Sequence, residues 1–121
     1  MPIKYFPADD MKELAIDIAE KLGMRHDMSR VAFVRSHGSQ SRRIIARCHG
    51  MPRIMQFALG VRAYYVIEII SERFDSMGSA EKEKTIIHEL MHIPKSFGGG
   101  FRHHDHVTRQ HVEAMWKKLK D

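Results

Sequence analysis

Residues 88–106 read HELMHIPKSFGGGFRHHDH, and six of the chain's nine histidines lie between His88 and His111. His88 and His92 stand four apart, so on a helix both imidazoles project from one face, about one turn apart. Two imidazoles at that spacing suit a single Zn²⁺, each bound at roughly 2.0–2.1 Å. Glu89 directly follows the first histidine, which brings its carboxylate beside the ion without taking a coordination position. From there it can accept a proton from water whose pKa zinc lowers to about 7, so that hydroxide reaches a carbonyl. Each fixed residue of this HExxH pattern has its own task. A chance match on a surface helix would not explain the apolar residues around it. Ile86, Ile87, Leu90, Met91 and Ile93 imply that the histidines and Glu89 face a partly buried site, where unpaired polar groups are costly.

A catalytic zinc site takes three protein ligands and leaves one position open. For the third ligand the chain offers His103, His104, His106 and His111, with Asp105 as the acidic option. The metzincin pattern HExxHxxGxxH fails, because Lys95 stands at its glycine and Gly98 at its last histidine. Glu113 would serve a gluzincin, but it falls on the polar flank of the last predicted helix and the histidine cluster is nearer. His111 lies on that helix's apolar stripe, which fits a packed histidine that supports the site better than a ligand. His26, His37 and His49 lack ligand spacing and read as surface or turn residues. Asp105 suits either the orientation of a ligand imidazole or a helix N-cap.

The stretches EKTIIHELMHIP and FRHHD, joined by a glycine-containing loop, resemble the small metallopeptidases predicted in archaea and phages. These are minimal zincins, distantly similar to SprT/Spartan-like proteases. The strand YYVIEI and the upstream SQSRRIIAR also fit, so the resemblance spans roughly residues 10–116, with HExxH its most specific part. Matching Arg102-His103-His104-Asp105 to the family's Arg-x-His-Asp signature implies that His104 is the third ligand, with His106 and His103 as alternates. The resemblance also implies peptide-bond hydrolysis, whereas the residues alone indicate metal-assisted hydrolysis of some electrophile. The donor that faces Glu89 across the transition state would be Arg102, a spare histidine or a backbone N–H.

These residues need elements to position them. DDMKELAIDIAEKLG (9–23) has helical period. RVAFVRS (30–36) and RRIIARC (42–48), separated by HGSQS, read as two strands of a hairpin. IMQFALG fits a short helix or an irregular stretch, and AYYVIEII (63–70) is a strand. SERFDSMGS follows as a loop or helical turn. AEKEKTIIHELMHI (80–93) is the active-site helix, ended by Pro94. KSFGGGF is a flexible connector, and a last helix runs from about Asp105 to Lys120. The expected fold is α+β: one zincin-like domain over residues 1–121, with a small, mostly antiparallel sheet of about three strands. An N-terminal, an HExxH and a C-terminal helix pack against it. An extended peptide would lie along a sheet edge beside the active-site helix, with AYYVIEII or a hairpin strand as that edge.

Composition narrows the setting. No run of 18 apolar residues occurs, which excludes a membrane span. MPIKYFPADD lacks the apolar core of a signal peptide, and the lone Cys48 excludes an internal disulfide, so a cytoplasmic location is expected. The net charge is +5, yet Arg25 to Arg62 holds eight arginines and one acid, Asp27, for a local +7. Such a segment reads as a solvated basic face, or as arginines paired with acids of the N-terminal helix. It also suits nucleic acid, so a protease that uses Arg42, Arg43 and Arg47 to stay near DNA is a further expectation. A metal-dependent ribonuclease would also use three histidines, but its motif lacks Glu89. A non-catalytic zinc-binding module would close the site with a fourth ligand, His106 or Asp105, and leave Glu89 idle.

Overall fold

A computed structural model describes residues 2–39 and 43–121. Four strands, β1 (Lys4–Pro7), β2 (Val31–His37), β3 (Ala46–His49) and β4 (Tyr65–Ile70), form one sheet in the order β1-β2-β4-β3. β2 and β4 run parallel, while β1 and β3 pair antiparallel with β2 and β4 respectively. The helices are α1 (Asp9–Lys21), α2 (Arg53–Leu59), the single turn α3 (Ser71–Phe74), α4 (Ser79–Met91) and α5 (Arg109–Lys120). The architecture is α+β, and the sheet is mostly antiparallel as expected.

Two details differ from the sequence expectation. The sheet has a fourth strand, β1, all four of whose residues are exposed, so no alternation of apolar and polar residues betrays it. The two β-branched runs at 30–36 and 42–48 do not pair as a hairpin, because β4 lies between them. β4 wins that position because it is buried along nearly its whole length, as a central strand must be. Tyr65, Ile67 and Ile69 face the helices. They pack with Val31 and Phe33 of β2, Ala15 and Ile18 of α1, and Ile86, Ile87 and Leu90 of α4. Fully burying each large aliphatic side chain contributes about 1.5–3 kcal/mol, so this layer fixes α4 against the sheet.

Part of the basic segment is committed to the fold. The Arg35 guanidinium reaches both carboxylate oxygens of Asp10, at 2.6 and 2.9 Å, and Asp75 at 3.1 Å. That fork ties β2 to the first turn of α1 and to the end of α3, and it holds the Asp10 carboxyl below the usual carboxylate range. Arg30 pairs with Asp27 at 3.4 Å. No helix of the described residues is long and apolar enough to cross a membrane.

Candidate metal centre

α4 carries His88 and Glu89 on its last turns and ends at Met91. His92 stands just past that end with its backbone still in right-handed helical geometry (φ −68°, ψ −20°), so the four-residue spacing keeps its meaning. Pro94 then prevents continuation, and the chain returns. Residues 103–107 form a tight turn in which the His106 and Val107 N–H groups both donate to the His103 carbonyl at 3.0 Å. That turn puts His104 against the helix. Ring centroids are 4.9 Å apart for His88–His92 and for His92–His104, and 5.4 Å for His88–His104. One nitrogen from each of the three lies within 4.8 Å of the others.

The second ring nitrogen of His92 is spoken for. Its Nδ1–H donates to the Arg102 carbonyl, while the Arg102 N–H donates to the His92 carbonyl at 2.8 Å. This fixes the tautomer and leaves Nε2 for an ion, the usual arrangement behind a metal-binding histidine. The Phe101 ring stacks on His92 at 4.4 Å and holds the imidazole plane. Burial, with His92 and His104 nearby, pushes His88 down to about 4, and burial also lowers His92. Both rings are therefore neutral near pH 7, the state a metal requires. Three imidazole nitrogens in reach of one another fit a single divalent transition-metal ion.

Glu89 is 6% exposed, and burial alone pushes its carboxyl up to about 7. That value suits a group that must both take and return a proton near neutrality. Burial and the nearby Glu89 raise the Cys48 thiol on β3 to about 12, so it stays protonated and is no nucleophile.

His88, Glu89 and His104 line a cleft of about 740 Å³. Its walls are the segment from Arg43 to Ala46 that leads into β3, the outer face of α4, and Arg109 and Glu113 of α5. β4 is interior, so the edge strand beside the site is β3. Glu113 is not among the converging histidines; it pairs with Lys84 at 2.9 Å.

The other sequence candidates lie elsewhere. His103 packs edge-on against Phe101, and His106 Nε2 lies 2.7 Å from an Arg102 guanidinium nitrogen, so neither joins the converging group. Arg102 thus points away from the cleft rather than toward a transition state. His111 is exposed instead of packed, and its Nδ1 lies 2.6 Å from the His106 carbonyl, steadying the turn from outside. Asp105 is exposed and does not cap α5. Thr108 does, accepting from the His111 N–H at 3.2 Å, so the helix begins at Arg109 rather than near Asp105. His26 is half-buried, with Nε2 3.1 Å from the Leu90 carbonyl at the end of α4. His37 and His49 sit beside Glu72 and Glu68 at 3.3 and 2.8 Å. Arg42 falls outside the described residues; Arg43 lines the cleft, and Arg47 is in register with Glu68 of β4.

The loop read as a flexible connector is pinned. The Tyr65 hydroxyl donates to the Gly100 carbonyl at 2.8 Å and accepts from the Gly99 N–H at 2.9 Å. Gln56 is the inward-turned side chain of α2, a helix that otherwise leaves Ile54 and Phe57 in solvent, and it donates to Gly98 and Met51 carbonyls. Gly99 adopts φ +98°, which only glycine takes readily, and a side chain at Gly50 would stand 2.9 Å from the Gly99 carbonyl. Tyr65 and Gln56 were not recognisable in the sequence. Each looks like an ordinary strand or helix residue, and only the folded approach of residues 98–100 gives it a task. Tyr65→Phe is expected to retain the fold, since the ring stays buried, and to weaken metal binding roughly 10–100-fold by freeing the loop. Competition with a chromogenic chelator measures this, and unchanged affinity would show that the loop holds without the hydroxyl.

The chain is an α+β domain in which histidines from one helix end and one returning turn converge as a candidate metal centre. The chain belongs to the family described as Putative phage metallopeptidase, whose model matches residues 3–121. Neither a curated protein nor a solved structure matches it.

Proposed function

We propose that this protein is a zinc-dependent peptidase, with His88, His92 and His104 as the metal ligands and Glu89 as general base. The observation that carries the reading is one juxtaposition: three converging imidazoles, with a buried carboxylate raised to about 7 beside them in a cleft. Family membership supports peptide bonds as the substrate. When bound, the ion supplies Lewis acidity toward a water molecule and the substrate carbonyl. The chain's own groups do the rest. Glu89 takes the proton of the attacking water and returns it to the departing amine, for which a carboxyl near 7 is matched in both directions. The free edge of β3 offers backbone groups to an extended peptide, which would hold the scissile bond in front of Glu89. His92, locked by Arg102 and Phe101, keeps its ring from turning as the site works.

With Cys48 as the one cysteine of the sequence no internal disulfide can form, which agrees with action in the cytoplasm. Nucleic acid is a poorer fit as a partner. Arg35 and Arg30 are spent on aspartates, which leaves fewer arginines of the basic segment for phosphates. A DNA-associated, SprT-like role would require binding that falls with salt.

The test is hydrolysis of a mixed quenched-fluorescent peptide library by protein holding about one zinc per chain. Cleavage abolished by a chelator and restored by added zinc is expected. Fully loaded protein that leaves every peptide intact but degrades RNA would overturn the peptidase reading in favour of a ribonuclease.

A further inference from the structure

A second cleft, of about 690 Å³, opens on the other side of the histidine-bearing turn and shares no lining residue with the first. It lies between the C-terminal end of α1, the C-terminal end of α4 and the middle of α5. Its floor is apolar, built around the half-buried Met24, Met91 and Met115 beside the buried Leu22 and Ile93. Three cationic side chains reach it from separate segments: Arg25 after α1, Lys95 after α4, and Arg102 from the loop before His104. No aspartate or glutamate lines the cleft. Nor does any of the three cations form an ion pair among the described residues, in contrast to Arg35, Lys84 and Lys120. The Arg102 guanidinium lies 2.7 Å from the His106 ring nitrogen, with no carboxylate paired to it among the described residues.

Convergent cations without a counter-charge repel one another, and an anion between them would relieve that repulsion. A bare inorganic anion would leave the methionine floor wet. A neutral apolar molecule would leave the cations unmatched. The complementary ligand has both parts, and a cleft of this size accommodates one such small ligand or peptide terminus. Thioether side chains fit irregular apolar groups, which suits a stem of variable shape.

We propose that this cleft binds an anionic head group, carboxylate or phosphate, carried on an apolar stem. Two sources share that chemistry: an alkyl phosphate or carboxylate, and a peptide ending in an apolar residue with its free carboxylate. Because Arg102 belongs both to this cleft and to the loop that orients His92, a ligand here grips the metal-binding turn from behind. The proposal is independent of the peptidase reading, since it needs no turnover.

The experiment uses the metal-free full chain with its methionine methyls ¹³C-labelled, so that the nine methionines report separately. Octyl phosphate, octanol and inorganic phosphate are titrated in turn, followed by a short peptide ending in leucine and its C-terminal amide. Octyl phosphate is expected to shift the Met24, Met91 and Met115 methyls and to bind at least about tenfold more tightly than octanol or phosphate. The exposed-residue variant Lys95→Gln, and Arg25→Gln with it, is expected to weaken binding about tenfold while the remaining methyl signals stay in place. If the acid peptide competes and its amide does not, the source is a peptide terminus; if only the alkyl anions bind, it is lipid-like. Equal affinity for octanol or for phosphate overturns the proposal. So does binding that the two variants leave unchanged.

Discussion

Replacing Glu89 by glutamine is expected to leave the metal in place and to cut peptide hydrolysis by roughly 10²–10⁴-fold. Glutamine matches the shape of the carboxyl but cannot accept the water proton, so kcat should fall with little change in KM. Metal analysis alongside initial rates gives the answer. Full activity in Glu89→Gln with one metal per chain would remove Glu89 from the role of general base.

The same substitution has a stability consequence in the metal-free protein, and its sign follows from burial. The Glu89 carboxyl titrates near 4.5 when unfolded and at about 7 when folded. Between those values the unfolded chain has released a proton that the folded chain retains, so stability falls as pH rises through the window. The full loss, reached above pH 7, is about 3 kcal/mol. Metal-free Glu89→Gln should therefore exceed wild type in urea midpoint at pH 8 and match it near pH 4.5. His88 acts in the opposite sense. Its folded pKa is held at about 4 by burial and by His92 and His104. Stability is then lost as pH falls from about 6.5 toward 4. Over the shared range the two groups oppose each other, and comparing Glu89→Gln with wild type isolates the Glu89 contribution.

His104→Ala should cost more metal affinity than any other single change outside the HExxH segment. It removes a direct ligand, so the loss should exceed the roughly 10–100-fold typical of a supporting partner. The side chain is exposed, which means that the fold should survive. Metal content per chain after purification without added zinc, together with the circular dichroism spectrum, decides it. His103→Ala and His106→Ala serve as controls that keep the ion. Loss in His106→Ala with retention in His104→Ala would move the third ligand to His106.

How much of this was legible depends on how local the determinant is. HExxH could be read because all three residues sit within one helical turn and a half, where spacing alone sets direction. The pairing of His88 and His92 needs nothing beyond the period of α4. His104 came from a resemblance, since five polar candidates within nine residues cannot be ranked by spacing. What ranks them is the turn closed on the His103 carbonyl and the capping of α5 by Thr108. Tyr65, Gln56 and Gly99 were hidden for the same reason, as their partners lie more than thirty residues away in sequence or across a loop. The false hairpin shows the limit of neighbour-based reasoning. Two β-branched runs with a turn-like spacer fit each other locally, but a more buried strand further along takes the place between them.

That strand order bears on how the chain assembles. β2 and β3 are made before β4 during synthesis, and each then presents an unsatisfied edge to the other. A transient pairing of the two would be in the wrong register and would have to open before β4 could enter, a non-local step that slows folding. Only after that insertion does Tyr65 stand where it can catch residues 99 and 100. The loop that leads to His104 is thus held by a residue of the inserted strand, so its placement depends on the strand order and not only on its neighbours in sequence.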